Sequence, residues 1–189
     1  MKKLIILLFF ITFLFQFTQA AGFGAGINAG ILKFKKEDTK DLYGSKFIYT
    51  PYLKLIIHRG LALELSYEAG YKNKVLNIYD EEESTLKITG INICAVYRFP
   101  IIKIIPYLKV GYARYNFKQE IENNISNYRL EDHKSTIIVG GGVNLGLLGG
   151  FYLNAEITYT PLKIKPFDQE MDFKGMRFLA GVGWQFNLF

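Results

Sequence analysis

Apolar and polar residues alternate with a period of two along most of this chain. Residues 61–71, for example, place Leu61, Leu63 and Leu65 on one face and Glu64 and Glu68 on the other. Such alternation predicts β-strands that are covered differently on their two faces. Similar runs occur eight times, at 21–34, 46–57, 61–71, 85–99, 106–117, 134–147, 151–161 and 175–189.

The connections between these runs alternate between long and short. Long charged segments occupy 35–45, 73–84, 118–133 and 162–174, and short turns occupy 58–60, 100–105 and 148–150. Both chain ends therefore lie on the side of the short turns. An even number of strands with long loops on one side only is typical of bacterial outer-membrane barrels, whose long loops are extracellular. The predicted fold is all-β, an eight-stranded antiparallel up-and-down transmembrane β-barrel.

Two tight hairpins fix the expected register. A three-residue loop that ends at Gly60 would pair Ile57 with Leu61, and a second one at 148–150 would pair Leu147 with Phe151. Three-residue hairpin loops commonly end on a left-handed glycine. The pairs that follow are Lys54 with Glu64, Gly142 with Glu156, and Gly146 with Tyr152.

The composition of the less apolar face indicates which side of the barrel is inside. A soluble lipocalin-like carrier would turn its apolar face inward, whereas a membrane barrel turns that face to lipid. Glycine weakens strands and has no advantage on a water-exposed face, but it suits a crowded interior. The glycine-rich face is therefore predicted to line the lumen. The charges expected there are Lys54, Glu64, Glu68, Arg98, Lys109, Arg114 and Glu156.

These interior charges have two interpretations. Eight strands leave a lumen that side chains just fill, so a mutually neutralising buried network is the favoured one. A gated diffusion pore is the alternative.

The aromatic residues predict where the membrane surfaces lie, since Trp and Tyr concentrate at both interfaces. The topology gives an outer girdle of Tyr49, Tyr67, Tyr71, Tyr112 and Tyr159. It gives an inner girdle of Phe23, Phe99, Phe151, Trp184 and Phe186.

The first residues predict export. Lys2 and Lys3 precede an apolar run of about a dozen residues, and Ala20 ends a short segment suited to cleavage, as in a secretory signal. We expect residues 1–20 to be a signal peptide and 21–189 to be one outer-membrane barrel domain. Removal of the two lysines lowers the formal charge from +6 to +4, with 21 basic and 17 acidic residues left. This mild charge does not favour nucleic acid as a partner.

Three positions depart from the pattern. Pro51 interrupts the second run, although a closed barrel has no free edge for a residue without an N–H. The fourth run changes phase between Ile88 and Ile91, which a bulge near Gly90 would reconcile. Phe189 is out of phase with Leu188.

Residues suited to metal or nucleophilic chemistry are sparse. His58 lies in a tight turn without partners at ligand spacing, Cys94 is the one cysteine and faces inward, and 80–84 lacks the glycine of a calcium loop. No metal or cofactor is expected. Glu131, His133 and Ser135 occupy alternate positions near the outer rim, and a hydroxyl oriented by a His and a carboxylate can cleave an ester.

The signal segment, the eight runs and the glycine-rich faces resemble the small outer-membrane β-barrel proteins of the OmpA/OmpX and opacity-protein type. "PYLKVGYARY" (106–115) looks like the opening of a middle strand in such proteins. The chain end resembles their C-terminal assembly signal, here Gly183, Trp184, Phe186, Leu188 and Phe189. The resemblance implies insertion by the outer-membrane assembly machinery.

His133-x-Ser135 also resembles part of the motif of outer-membrane lipid A deacylases. That family has Asn after the Ser and a Glu about a dozen residues on, where this chain has Thr136 and Leu147. A lipid A deacylase-like esterase with Glu131, His133 and Ser135 as its site is therefore kept as an alternative.

The sequence thus predicts an integral protein of the cell outer membrane without catalysis and without a wide pore. It would have a structural role or bind a surface ligand through its four loops. Expected partners are outer-membrane lipid, lipopolysaccharide and the assembly machinery, and we expect a monomer. The lipid A esterase and the soluble carrier are the alternatives.

Overall fold

A computed structural model describes residues 22–35, 45–58, 60–77, 82–99, 103–122, 127–164, 171–172 and 174–187. Eight long strands within these ranges close into one barrel. They are β1 (Gly22–Phe34), β2 (Ser45–His58), β3 (Leu61–Asn77), β4 (Glu82–Arg98), β5 (Ile104–Glu122), β6 (Asn127–Gly146), β7 (Phe151–Thr160) and β10 (Gly175–Asn187). Two short strands, β8 (Lys163–Ile164) and β9 (Met171–Asp172), pair with each other between β7 and β10.

Every barrel strand pairs antiparallel with its neighbours in the chain, and β1 closes the ring against β10. The prediction of an eight-stranded up-and-down barrel is confirmed. Closure gives every barrel strand two neighbours for its backbone N–H and C=O groups, and without it a sheet could not cross a membrane. Among the described residues, no helix is both long and apolar enough to span a bilayer.

Strand lengths divide the barrel wall into two unequal parts. The strands β3, β4, β5 and β6 have 17, 17, 19 and 20 residues, whereas β7 has 10 and β1 has 13. The predicted loops at 73–84 and 118–133 are accordingly shorter than expected, because strand pairing continues to Asn77↔Glu82 and Glu122↔Asn127. One side of the wall therefore extends further at the end of the long loops.

The hairpin between β6 and β7 has the predicted register. Gly142 lies opposite Glu156 and Gly146 opposite Tyr152. Leu148–Gly150 forms one turn of 3₁₀-helix, in which Gly149 and Gly150 have φ of 69° and 82°. Both values are in the left-handed region that glycine adopts without strain, which explains the Gly-Gly sequence at this turn.

The hairpin between β2 and β3 corrects one predicted pair. Lys54 lies opposite Glu64 as expected, but Leu61 pairs with His58 rather than with Ile57. The register shifts by one residue between Ile56 and His58. This irregularity lengthens β2 beyond the predicted end at Ile57 without changing which residues face inward above it.

The expected bulge at Gly90 is wrong. Gly90 lies in unbroken register between Glu68 and Tyr115, and Ile88 is a buried inward residue. The phase of the run changes because the interior itself becomes apolar at the long-loop end. Leu32, Ile48 and Ile88 are at most 2 % exposed there, so apolar residues stand on the inner face without any change of register.

Pro51 is accommodated inside the closed barrel. It pairs with Ile27 of β1, whereas the pairing of β2 with β3 is interrupted between Tyr49↔Ala69 and Tyr52↔Ser66. A residue without an N–H cannot donate to the neighbouring strand, and the register is the same on both sides of the gap. The barrel wall thus has a local break in its hydrogen bonding at Thr50 and Pro51.

Candidate functional site

The outward side chains form an apolar belt around the barrel. Leu53, Ile93 and Leu108 are each about 60 % exposed, at 61 %, 58 % and 60 %. A soluble monomer rarely exposes a contiguous apolar surface of this extent. Contact with lipid removes the free-energy cost of exposing apolar side chains to water. The belt is therefore the membrane-facing surface of the protein.

Aromatic residues lie on the outward face near both ends of this belt. Phe23 contacts Trp184 edge-on with ring centroids 5.8 Å apart, and the Trp184 indole N–H donates to the carbonyl of Gly149 over 3.0 Å. The predicted girdle residues on this face are Tyr49, Tyr67, Tyr112, Tyr159, Phe23, Phe99, Phe151, Trp184 and Phe186. The side chain of Tyr71 lies outside the described residues.

The middle of the lumen holds a network centred on Lys109. Its ammonium group lies 2.6 Å from Oε1 of Glu156 and 3.1 Å from Oε1 of Glu64. Lys54 approaches the other oxygen of Glu64 at 3.1 Å, and the Tyr107 hydroxyl donates to Glu156 over 2.6 Å. Two cations thus neutralise two carboxylates, as a stable buried ion cluster requires.

A second network lies nearer the long-loop end. Nε of Arg177 is 2.7 Å from Oε2 of Glu68, and Nη1 of Arg177 donates to the Thr160 hydroxyl over 2.6 Å. The Tyr115 hydroxyl donates to the same Glu68 oxygen over 3.3 Å, and the Arg177 guanidinium lies 5.0 Å from the Tyr115 ring centre. Arg177 therefore has both a charge partner and an aromatic surface inside the barrel.

Several contacts cross the lumen between strands that are not neighbours. Arg98 of β4 donates to Gln185 of β10 over 2.8 Å, and these two strands are diametrically opposite in the ring. Lys109 joins β3 to β7 in the same way through its two glutamates. The hydroxyls of Tyr52 and Tyr152 meet at 3.0 Å. Three sets of side-chain contacts therefore bridge the lumen.

Six of the seven predicted interior charges are buried, between 1 % and 6 % exposed: Lys54, Glu64, Glu68, Arg98, Lys109 and Glu156. The seventh, Arg114, is not in the lumen. It is exposed on the outward face with Tyr112, between Ile91 and Ser135 of the neighbouring strands. The prediction was wrong because Arg114 has the parity of Tyr112, whereas Lys109 and Tyr115 have the inward parity.

The sequence pointed less clearly to the interior tyrosines. Tyr52, Tyr107, Tyr115 and Tyr152 are at most 6 % exposed and supply hydroxyls to the networks. Their inward position could have been predicted from the alternation within each strand, since each tyrosine shares a face with an inward Lys, Glu or Asn. Residue type alone would instead assign these tyrosines to the aromatic girdles, where tyrosine is common.

Glu131, His133 and Ser135 lie on one outward face of β6, as the alternation predicted. The carboxylate of Glu131 pairs with Arg129, and the backbone N–H of His133 donates to Asp132 over 2.7 Å. Among the described side chains, no hydrogen bond joins the three residues to one another. The structure therefore brings them onto one face without assembling a nucleophile and its base.

The remaining predicted features are partly outside the described residues. Gly183, Trp184 and Phe186 are in β10, whereas Leu188, Phe189, the His58 side chain and segment 1–21 lie outside the described residues. Cys94 is buried in the lumen wall. Within the described residues, no three His, Cys, Asp or Glu side chains are grouped so that they could hold a metal ion.

Comparison with solved structures identifies small outer-membrane barrels. Neisserial surface protein A is 17 % identical, with a TM-score of 0.66 over 87 % of this chain and 97 % of its own. The outer membrane protein OprG from Pseudomonas aeruginosa is 13 % identical, with a TM-score of 0.67 over 89 % and 97 %. Ail, the attachment invasion locus protein of Yersinia pestis, matches in two structures, each with a TM-score of 0.57 over 88 % of this chain and 98 % of its own. The identity is 15 % for the complex with the heparin analogue sucrose octasulfate and 14 % for the other structure.

At these identities the likeness shows the fold alone. No curated protein matches the chain. The family described as outer membrane protein beta-barrel domain matches residues 4–186, which is nearly the whole chain. With a closed barrel, an apolar outer belt and a charged lumen, the chain belongs to this family of outer-membrane barrels.

Proposed function

We propose that this protein is a structural or surface-binding barrel of the outer membrane, with neither catalysis nor a wide pore. The observation that carries the proposal is the bridged lumen, in which charged side chains join opposite strands. A rigid scaffold of this kind presents loops at one end, and binding residues commonly lie on such loops. The proposed partners are outer-membrane lipid, lipopolysaccharide and a surface ligand of the four loops.

Export and assembly are part of the same proposal. Residues 1–20 would be removed after Ala20, and the chain end from Gly183 to Phe189 would be recognised by the outer-membrane assembly machinery. The barrel would act as a monomer. Support comes from the basic and apolar N-terminal segment and from the outward aromatic residues of β10.

Cell fractionation combined with gel migration tests the proposal. The protein should occur in the outer-membrane fraction and migrate differently before and after boiling, because a closed barrel resists detergent until it is heated. Release with the periplasmic fraction would instead support the soluble carrier and contradict the proposal.

Mass spectrometry of lipid A separates the proposal from the esterase alternative. Expression should leave the mass of lipid A unchanged. Loss of one acyl chain, abolished by Ser135→Ala but not by Thr136→Ala, would establish an esterase that uses Glu131, His133 and Ser135.

A further inference from the structure

An apolar crevice lies on the outer face where the wall is broken at Pro51. It has a volume of about 480 Å³, and Pro51, Leu53, Leu65 and Ile91 line it together with Ala25 and Tyr67. Two features of the sequence coincide with this crevice. Pro51 interrupts the ladder between β2 and β3, and Ala25 is a small residue among the larger outward residues of β1.

A second, polar pocket lies directly above this crevice, toward the long-loop end. The polar pocket has a volume of about 400 Å³, which is within the range of about 300–1,000 Å³ that small-molecule sites commonly have. Lys87, Thr89, Asn116, Lys118 and His133 line it, and Tyr67 lines both this pocket and the crevice below it.

The strand register places these residues in rows on the outward face. Thr89 lies opposite Asn116, and Asn116 opposite His133. One step further toward the long loops, Lys87 lies directly opposite Lys118. One step nearer the belt, Tyr67 pairs with Ile91, which pairs with Arg114. Polar and apolar pockets are therefore stacked along the same part of the wall.

The charges of the upper pocket favour an anion. Two ammonium groups directly opposite each other on one face repel, and an anion between them would remove that cost. Neither Lys87 nor Arg114 has an ion-pair partner among the described residues, whereas Lys118 lies 2.5 Å from Glu120.

The carboxylates of this region are already engaged. Glu120 accepts a hydrogen bond from Lys118, which holds the pKa of Glu120 below its usual value. Glu131 pairs with Arg129, and Asp132 accepts the backbone N–H of His133. Glu131 and Asp132 line the pocket. The four cations of this region, Lys87, Arg114, Lys118 and Arg129, exceed its three carboxylates, Glu120, Glu131 and Asp132, by one charge.

We propose that the two pockets form one site for a lipid with a phosphoryl headgroup. Lys87 and Lys118 would bind the phosphoryl oxygens, an acyl chain would lie in the crevice at Pro51, and Tyr67 would stand at the junction with its ring against the chain. Since the long loops are extracellular in such barrels, the lipid would belong to the outer leaflet. The inference rests on the proposed outer-membrane location.

Binding of lipid A to the purified full-length barrel in dodecyl maltoside micelles tests the headgroup half of the site. Native mass spectrometry would compare diphosphorylated lipid A, its dephosphorylated form and inorganic phosphate. The combined variant Lys87→Gln and Lys118→Gln should weaken binding of diphosphorylated lipid A about a hundredfold, because each lysine would contribute a charge-assisted hydrogen bond worth about tenfold. Lys33→Gln, at the rim on the far side of the barrel, should leave binding unchanged.

The crevice is tested with a substitution that fills it. Ala25→Phe should lower lipid A binding to a similar degree, whereas Ala155→Phe, on the outward face of β7, should not. Equal binding by the wild type and the double lysine variant would overturn the inference. Competition by inorganic phosphate as strong as by lipid A would show a free-anion site and would also overturn it. Heat-dependent gel migration of each variant shows separately whether the barrel itself is intact.

Discussion

At the scale of single residues, Lys109 is the group on which the lumen depends most. It lies between Glu64 and Glu156 and is 6 % exposed. A buried ion pair adds little net stability when complete, but removal of one partner leaves an uncompensated charge. The position is therefore more sensitive to loss of its charge than to any change of its size.

Lys109→Met should destabilise the barrel by about 3–5 kcal/mol, because Glu64 and Glu156 would then face each other with only Lys54 to neutralise them. Urea unfolding in lipid vesicles measures the change. The exposed Arg129→Met is the control and should unfold like the wild type. A stability of Lys109→Met equal to that of the control would contradict the proposed network.

Gly183 allows two tyrosines to meet inside the barrel. A Cβ there would lie 2.6 Å from the hydroxyl oxygens of Tyr52 and Tyr152. Gly183→Ala should therefore destabilise the barrel by about 1–3 kcal/mol through overpacking. The temperature at which gel migration changes measures it. Gly146→Ala, where the nearest atom would be 3.4 Å away, should be tolerated; an equal shift in both would disprove the steric explanation.

At the scale of elements, β10 both closes the ring of strands and carries outward aromatic residues. It closes the ring by pairing with β1 and β7, and its outward Trp184 and Phe186 contact Phe23 of β1. The same outward aromatic residues belong to the proposed assembly signal. Closure and the proposed recognition would therefore depend on one strand, so substitutions at its end are expected to affect both.

Phe189→Ala should reduce the fraction of protein inserted in the outer membrane if the last residue is part of the assembly signal. Quantitative fractionation of cells expressing each variant measures this. Phe178→Ala, in the same strand but away from the chain end, is the matched control. Normal insertion of Phe189→Ala would show that the terminal residue is not recognised.

At the scale of the whole molecule, the barrel has a lipid-facing exterior and a lumen that side chains cross. Three sets of side-chain contacts cross the lumen. Eight strands enclose an interior just wide enough for side chains to fill, and the proposed absence of a wide pore rests on this. The long side of the wall, formed by β3 to β6, extends beyond the belt and carries the polar pocket described above.

The purified barrel should show no stepwise conductance in planar lipid bilayers, because Arg98, Lys109 and Tyr52 each bridge the lumen. A sixteen-stranded porin, which has an aqueous channel, is the positive control in the same bilayers. Regular conductance steps from this protein would contradict the filled lumen and favour the gated pore.

The sequence by itself determined the strand number, the topology and the two faces. Alternation with a period of two requires no tertiary contact to be recognised. The pairs Lys54↔Glu64 and Gly142↔Glu156 followed from matching the apolar faces of the two strands across each tight turn. Parity also placed Lys109 and Glu156 on the inner face, because side chains of a strand can point only to one side or the other.

Only the tertiary structure decided what each inward residue meets. The partners of Lys109, the contact between Arg98 and Gln185, and the apolar inner end at Ile88 depend on strands that are distant in sequence. The break at Pro51 and the rows of Lys87 and Lys118 likewise depend on the register of neighbouring strands. Alternation fixes a side, whereas contacts across a closed ring depend on its curvature and stagger, which no single strand encodes.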